Sequence, residues 1–229
     1  MNKITVPISR RESLWGWVYL LLQLFALPSL LVLINFLAGN PLSDASINFI
    51  FFALNFICVT VIFRRFLLDS LALSAKQPIQ CIRAAIKGFF LYYVLSICVN
   101  IFIVIINPDF SNVNDDSIAQ MTQGNFALMA IGTVLLVPPV EETLYRGLIF
   151  HGLYDRSKIL AYILSVTLFA TIHVVGYIGL YDWSTLLMCF LQYIPAGICL
   201  AWAYNAADSI LAPILIHMII NLIGILSTR

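Results

Sequence analysis

Seven stretches of this chain are apolar for long enough to cross a lipid bilayer, and that leaves its backbone few options. They lie near residues 14–37, 46–63, 88–107, 125–150, 159–179, 183–204 and 208–227. A bilayer core offers no water to backbone N–H and C=O groups, so a spanning segment must satisfy them internally, as a helix or in a closed barrel. Runs of about 20 residues fit the helical span, whereas a barrel strand needs about half that length. The expected fold class is therefore all-α: a polytopic transmembrane helical bundle of about seven membrane spans. At 62% hydrophobic and 10% charged over 229 residues, the composition excludes an ordinary soluble domain.

The placement of Lys and Arg gives the orientation, because cytoplasmic loops are enriched in them. With a cytoplasmic N-terminus, the cytoplasmic segments hold Lys3, Arg10, Arg11, Arg64, Arg65, Lys76, Arg83, Lys87, Arg156 and Lys158. The opposite side keeps only Arg229. Loops assigned outside, near 38–45, 108–124 and 180–182, carry Asp44, Asp109, Asp115, Asp116 and Asp182 without a Lys or Arg. The short connection around Asp208 is assigned to the cytoplasm but has no basic residue. The first apolar run is too long for a signal-peptide core and no small-residue cleavage site follows, so it reads as a retained helix. Cys58, Cys98, Cys189 and Cys199 fall within spans and Cys81 in a cytoplasmic loop, a spacing that fits neither a disulfide framework nor a metal motif. A net charge of +1 argues against nucleic acid as a partner.

Two regions emerge: residues 1–124, with three spans and a cytoplasmic loop, and residues 125–229, with four spans. The Asn/Asp/Ser-rich run from Asn107-Pro108-Asp109 to Gly124 is the longest hydrophilic break and divides them. Between Arg64 and Lys87, leucines interspersed with Asp69, Lys76 and Arg83 read either as an interfacial amphipathic helix broken at Pro78 or as a plain connecting loop.

The chemistry concentrates in the second region. An ionised side chain at mid-bilayer costs about 2.5–3.5 kcal/mol, so Glu141, Glu142 and Arg146 inside one apolar run need pairing, water or a function. Glu142 and Arg146, at i and i+4, can form an ion pair along the helix. Glu141 lies about 100° around and is left without that partner, which suits a general base that takes a proton from water. Pro138-Pro139 removes two backbone donors and predicts a bend or cavity beside the glutamates. His173 follows Phe169 by four residues, and Asn221 follows His217 by four, so each pair shares a helix face. Imidazole accepts or donates a proton or ligates a metal, and an Asn amide can donate to an oxyanion. Taken singly, His173 reads as a packing residue, and Glu142 with Arg146 as a structural ion pair. His151 reads as interfacial, and Gly197 with Ala201 as a close helix contact. Asn35, Asn55, Asn100 and Gln192 read as interhelical hydrogen-bonding residues, Gln192 also as a candidate to line the cavity.

Taken together, these residues resemble the CPBP intramembrane proteases, also called the CAAX protease and bacteriocin-processing (Abi) family. The family pattern Glu-Glu-x-x-x-Arg, Phe-x-x-x-His, His-x-x-x-Asn/Asp is matched in order by Glu141, Glu142 and Arg146, by Phe169 and His173, and by His217 and Asn221. The resemblance covers roughly residues 125–229. It implies a helical bundle with a polar cavity opening toward the cytoplasm, in which Glu141 and His173 activate water while His217 and Asn221 stabilise the oxyanion. Glu142, Arg146 and Phe169 would support them. Glu141, His173 and His217 can equally act as three ligands of zinc or another divalent ion, or work without metal. The expected function is thus an intramembrane endopeptidase, a glutamate- or metal-dependent hydrolase acting on a peptide or protein tail in or at the membrane. Chain length and the single motif set point to a bacterial cell membrane. The alternatives are a non-catalytic immunity or peptide-binding protein of the same fold, and a small transporter or proton relay.

Overall fold

The computed structural model describes residues 4–228, so Lys3 and Arg229 of the orientation argument lie outside the described residues. The helices are α1 (Arg10–Leu37), α2 (Asp44–Ile62), α3 (Arg64–Lys76), α4 (Pro78–Ile106), α5 (Val113–Gly124), α6 (Phe126–Tyr154), α7 (Lys158–Ile172), α8 (Trp183–Ala207) and α9 (Leu211–Ser227). Five of them, α1, α2, α4, α6 and α8, are long and apolar enough to cross a membrane, and α7 and α9 are shorter apolar helices. The all-α polytopic bundle follows from the sequence, with two of the seven apolar runs folding into helices of 15 and 17 residues.

Local sequence explains where the helices begin. Ser9 caps α1 in a reciprocal box with Glu12, and Ser43 caps α2. Pro78 occupies the first turn of α4, where its missing N–H would be unpaired anyway. The Arg64–Lys87 stretch therefore resolves into an amphipathic helix that ends at Lys76, with Gln77 as its cap, followed by a spanning helix that begins at Pro78. Cys81, expected in a loop, is in that helix and buried against Ala84, Ala207 and Ala212. The hydrophilic break also folds: Asn112 accepts from the N–H groups of Asn114 and Asp115, and α5 runs to Gly124. Its caps and acidic first turn overrode the loop-like composition.

Large apolar side chains such as Phe25, Leu37, Val61, Phe90, Ile105 and Ile159 face outward. Between two water-facing ends they form the surface that lipid requires. Inside, one core runs from Tyr19, Leu20 and Val59 through Leu144, Tyr145, Leu148 and Phe150 to Leu200, Tyr204, Ile210 and Ile216. It contains residues of both sequence regions, so the two are packed on each other. Close approaches depend on glycine: a Cβ at Gly197 would stand 2.9 Å from Val166, which explains the tight α7–α8 contact expected at Gly197 and Ala201.

The Asp208 connection has no basic residue, yet its neighbours place it. Asp208 accepts from the N–H and hydroxyl of Thr5 at 2.8 and 2.5 Å, and Ser209 bonds Ser74 of α3. Gln77 and Gln80 donate to the carbonyls of Ala207 and Ala206. The turn therefore sits with the N-terminal segment and the Arg64–Lys87 elements, on the side the charge pattern requires.

Candidate active site

The glutamates lie midway along α6, whose hydrogen bonding is loosened to i→i+5 turns over Ile131–Leu136 and Thr143–His151 on either side of Val137–Glu142. Such turns re-aim side chains within a continuing helix and are frequent at functional sites. Thr143 donates to the Pro139 carbonyl, helping to satisfy backbone groups around the proline pair. At ~1.5 Å per residue Glu141 lies about 20 Å from Tyr154 and about 22 Å from Phe126.

Glu142 and Arg146 are both fully buried and pair at 3.1 Å. Arg146 also donates to the Gly197 carbonyl at 3.2 Å and lies 4.4 Å above the Phe169 ring. Desolvating this pair is expensive, and the carbonyl and the ring offset part of that cost. The same Glu142 Oε1 accepts from Nδ1 of His217 at 2.8 Å. That bond directs Nε2 of His217 toward Glu141, whose Oε2 is 3.9 Å away. Glu141 Oε2 is buried and has no hydrogen-bond partner. At 3.9 Å the two groups are too far apart for a direct hydrogen bond.

His173 does not lie inside a spanning helix as the run 159–179 led one to expect. The helix stops at Ile172 and His173 is its C-terminal cap. Its Nδ1 is 2.8 Å from the Phe169 carbonyl, and because a carbonyl only accepts, Nδ1 carries the proton and Nε2 is left free. The ring stacks on Tyr193 at 4.1 Å and lies 4.8 Å from Phe169, which also meets His217 edge-on at 5.8 Å. Phe169 is thus the common wall between Arg146 and both imidazoles. Asn221 donates from its amide to the Thr133 carbonyl at 2.7 Å, tying α9 to α6.

Of the residues expected to bond between helices, Gln192, Asn100 and Asn55 do so and Asn35 does not. Gln192 bonds Asn112 and Asn100, so it joins α8 to α4 and α5. Asn55 accepts from the Tyr19 hydroxyl across helices, whereas Asn35 bonds its own loop at Leu42. His151 meets the Tyr204 hydroxyl at 3.1 Å. The described cysteines are free thiols. Glu141, His173 and His217 do not assemble as metal ligands: among the described residues no three His, Cys, Asp or Glu side chains are placed to hold one ion. Each imidazole keeps Nε2 open, and of the three side chains only Glu141 and His217 approach at ion-pair range.

Tyr193 is the neighbour that sequence reasoning missed. Besides carrying the His173 ring, its hydroxyl donates to Asp115 at 2.8 Å and accepts from Asn114 at 2.9 Å. The signal available was its place directly after Gln192 in a span, which no spacing rule distinguishes from packing.

Residues 123–223, which contain all seven motif positions, match the family described as type II CAAX prenyl endopeptidase Rce1-like. The chain is similar to the UPF0177 protein YvdC of Lactococcus lactis subsp. lactis (strain IL1403), 27% identical over 183 residues, which is 80% of this chain and 65% of that relative. It therefore spans just under two thirds of that relative's length. No solved structure matches.

Proposed function

Residues 123–223 belong to the CPBP family through its Rce1-like endopeptidases, and on that premise we propose that this membrane protein hydrolyses a peptide bond of a membrane-associated peptide or protein tail. The reading is carried by the facing pair, Glu141 Oε2 and His217 Nε2 at 3.9 Å, in the interior of a lipid-bounded bundle. A structural ion pair needs only Glu142 and Arg146; the second carboxylate adds desolvation cost without adding a bond.

In the proposed mechanism Glu141 takes a proton from water, and His173, its Nδ1–H held by Phe169, orients that water through Nε2. The water oxygen bonds to the scissile carbonyl carbon, and the carbonyl π electrons move onto its oxygen. His217 in its doubly protonated form donates from Nε2 to that oxyanion, and Glu142 at Nδ1 compensates the imidazolium charge. Asn221 has one amide hydrogen on Thr133 and a second left for the oxyanion. On collapse, the proton held by Glu141 passes to the leaving nitrogen as the C–N bond breaks. General base catalysis of this kind contributes about 10²–10⁴-fold.

The test is cleavage of candidate peptides by the purified protein in detergent, beside Glu141→Gln and His173→Ala. Both variants are expected to insert and fold while losing cleavage. Wild-type rates in either would remove the assignment.

A further inference from the structure

At the tip of α7 the His173 imidazole is restrained by two groups of its own last turn, the Phe169 carbonyl at 2.8 Å from Nδ1 and the Phe169 ring at 4.8 Å. Both move with the helix, so neither fixes where Nε2 points relative to the glutamates on α6. Tyr193 supplies a restraint from another helix: its ring lies within 23° of parallel to the imidazole, with centroids 4.1 Å apart. Such a stack holds a direction only if the second ring is itself anchored. Tyr193 is anchored at its far end, where the hydroxyl donates to Asp115 at 2.8 Å and accepts from the Asn114 amide at 2.9 Å. Both partners lie in the first turn of α5, whose cap Asn112 accepts from their backbone N–H groups and donates to Gln192 at 2.7 Å. Val113 of the same turn packs with Val174, the residue after His173, and with Cys189 of α8. One turn of α5 thus bears on the His173 ring through Tyr193 and on the adjoining backbone through Val113. Packing alone does not call for this arrangement, because phenylalanine offers the same stacking face without a hydroxyl that needs partners.

We propose that Tyr193, clamped by Asn114 and Asp115, is a positioning residue for His173: it sets the direction of Nε2 and with it the alignment of the attacking water. The role rests on the protease reading for its chemistry. It gives the N-terminal region, which carries none of the seven motif positions, a part in the site, since Asn112 to Asp115 precede the 123–223 stretch matched to the family. Rates are sensitive to such alignment, because a misplacement of about 1 Å costs roughly 10²-fold.

The chain has three histidines, so histidine-selective isotope labelling and NMR of the purified protein in detergent read the imidazole directly. One imidazole should show the Nδ1–H tautomer with its carbon-bound protons shifted upfield by the ring on its face, and His173→Gln identifies that signal by removing it. The upfield shift should persist in Tyr193→Phe, weaken in Asp115→Ala and vanish in Tyr193→Leu. An imidazole signal unchanged in Tyr193→Leu would overturn the proposal. Peptide cleavage, measured well below the unfolding temperature of each variant, is the second arm. Tyr193→Leu should lose about 10²-fold in kcat with KM retained. Asp115→Ala should show part of that loss, and Asp115→Asn, which keeps an acceptor oxygen for the phenol, should recover most of it. A Tyr193 that serves the fold alone would lower the melting temperature of Tyr193→Leu and leave its kcat at the wild-type value, which would also overturn the proposal. If the wild type cleaves no peptide the protease reading falls, while the NMR arm still decides whether Tyr193 and Asp115 hold the ring.

Discussion

Glu142 and His217, 75 residues apart in sequence, share a 2.8 Å hydrogen bond that decides what His217 can do. With Nδ1 anchored, Nε2 has one direction left, toward Glu141. The second glutamate of the motif therefore aims the histidine that the first one faces, and Arg146 holds that glutamate in turn.

Removing this anchor should cost stability first. Glu142→Ala leaves Arg146 buried beside a carbonyl and a ring with no counter-charge, a change worth about 3–5 kcal/mol. Thermal unfolding in detergent is expected to shift down strongly, and more than for Glu141→Ala. Equal melting temperatures for the two variants would contradict the ion pair.

Asn221→Ala deletes the tie to Thr133 and the amide proposed for the oxyanion. The hydrogen bond alone is worth about 1 kcal/mol of stability, whereas loss of an oxyanion donor lowers kcat about 10²–10³-fold. The expected result is a small fall in melting temperature with a large fall in kcat. A kcat within a fewfold of wild type would leave Asn221 as a helix tie only.

Chelation addresses the ligand set. Because the three candidate ligands do not converge, prolonged incubation with EDTA is expected to leave the cleavage rate unchanged. Loss of activity restored by zinc would show that the side chains rearrange into a metal centre.

Asp182 provides a pH signature away from the site. It caps α8, accepting from the Ser184 hydroxyl at 2.5 Å and from Thr185 at 2.7 and 3.0 Å, and these bonds, the Ser184 hydroxyl foremost, hold its carboxyl well below the usual range. A depressed folded value means that the ionised form favours the native state. Its contribution is present above the ordinary carboxylate range near pH ~4 and is lost as pH falls below it. Melting temperature should drop on acidification through that window, and Asp182→Ala should be less stable at neutral pH with a flatter acid limb. An unchanged acid limb in Asp182→Ala would refute the cap.

How much was legible in the sequence differs from residue to residue. Helical class, the Pro78 break and the Glu142–Arg146 pair are local properties, set by apolar run length, a missing N–H and an i, i+4 spacing. The early end of α7 was not legible, because the residues after His173 are still apolar and only neighbouring helices show that the backbone turns there. Nor was α5, whose polar composition reads as a loop until Asn112 caps it.

What the sequence alone determined is therefore the solvent: apolar runs of spanning length commit the backbone to helices, and asymmetric Lys and Arg set their direction. Which nitrogen of each histidine is free, that Tyr193 carries His173 and that the proposed ligands do not converge were decided by the tertiary structure. Those properties depend on distances between helices far apart in the chain, and a bilayer imposes length on each helix without imposing which faces meet.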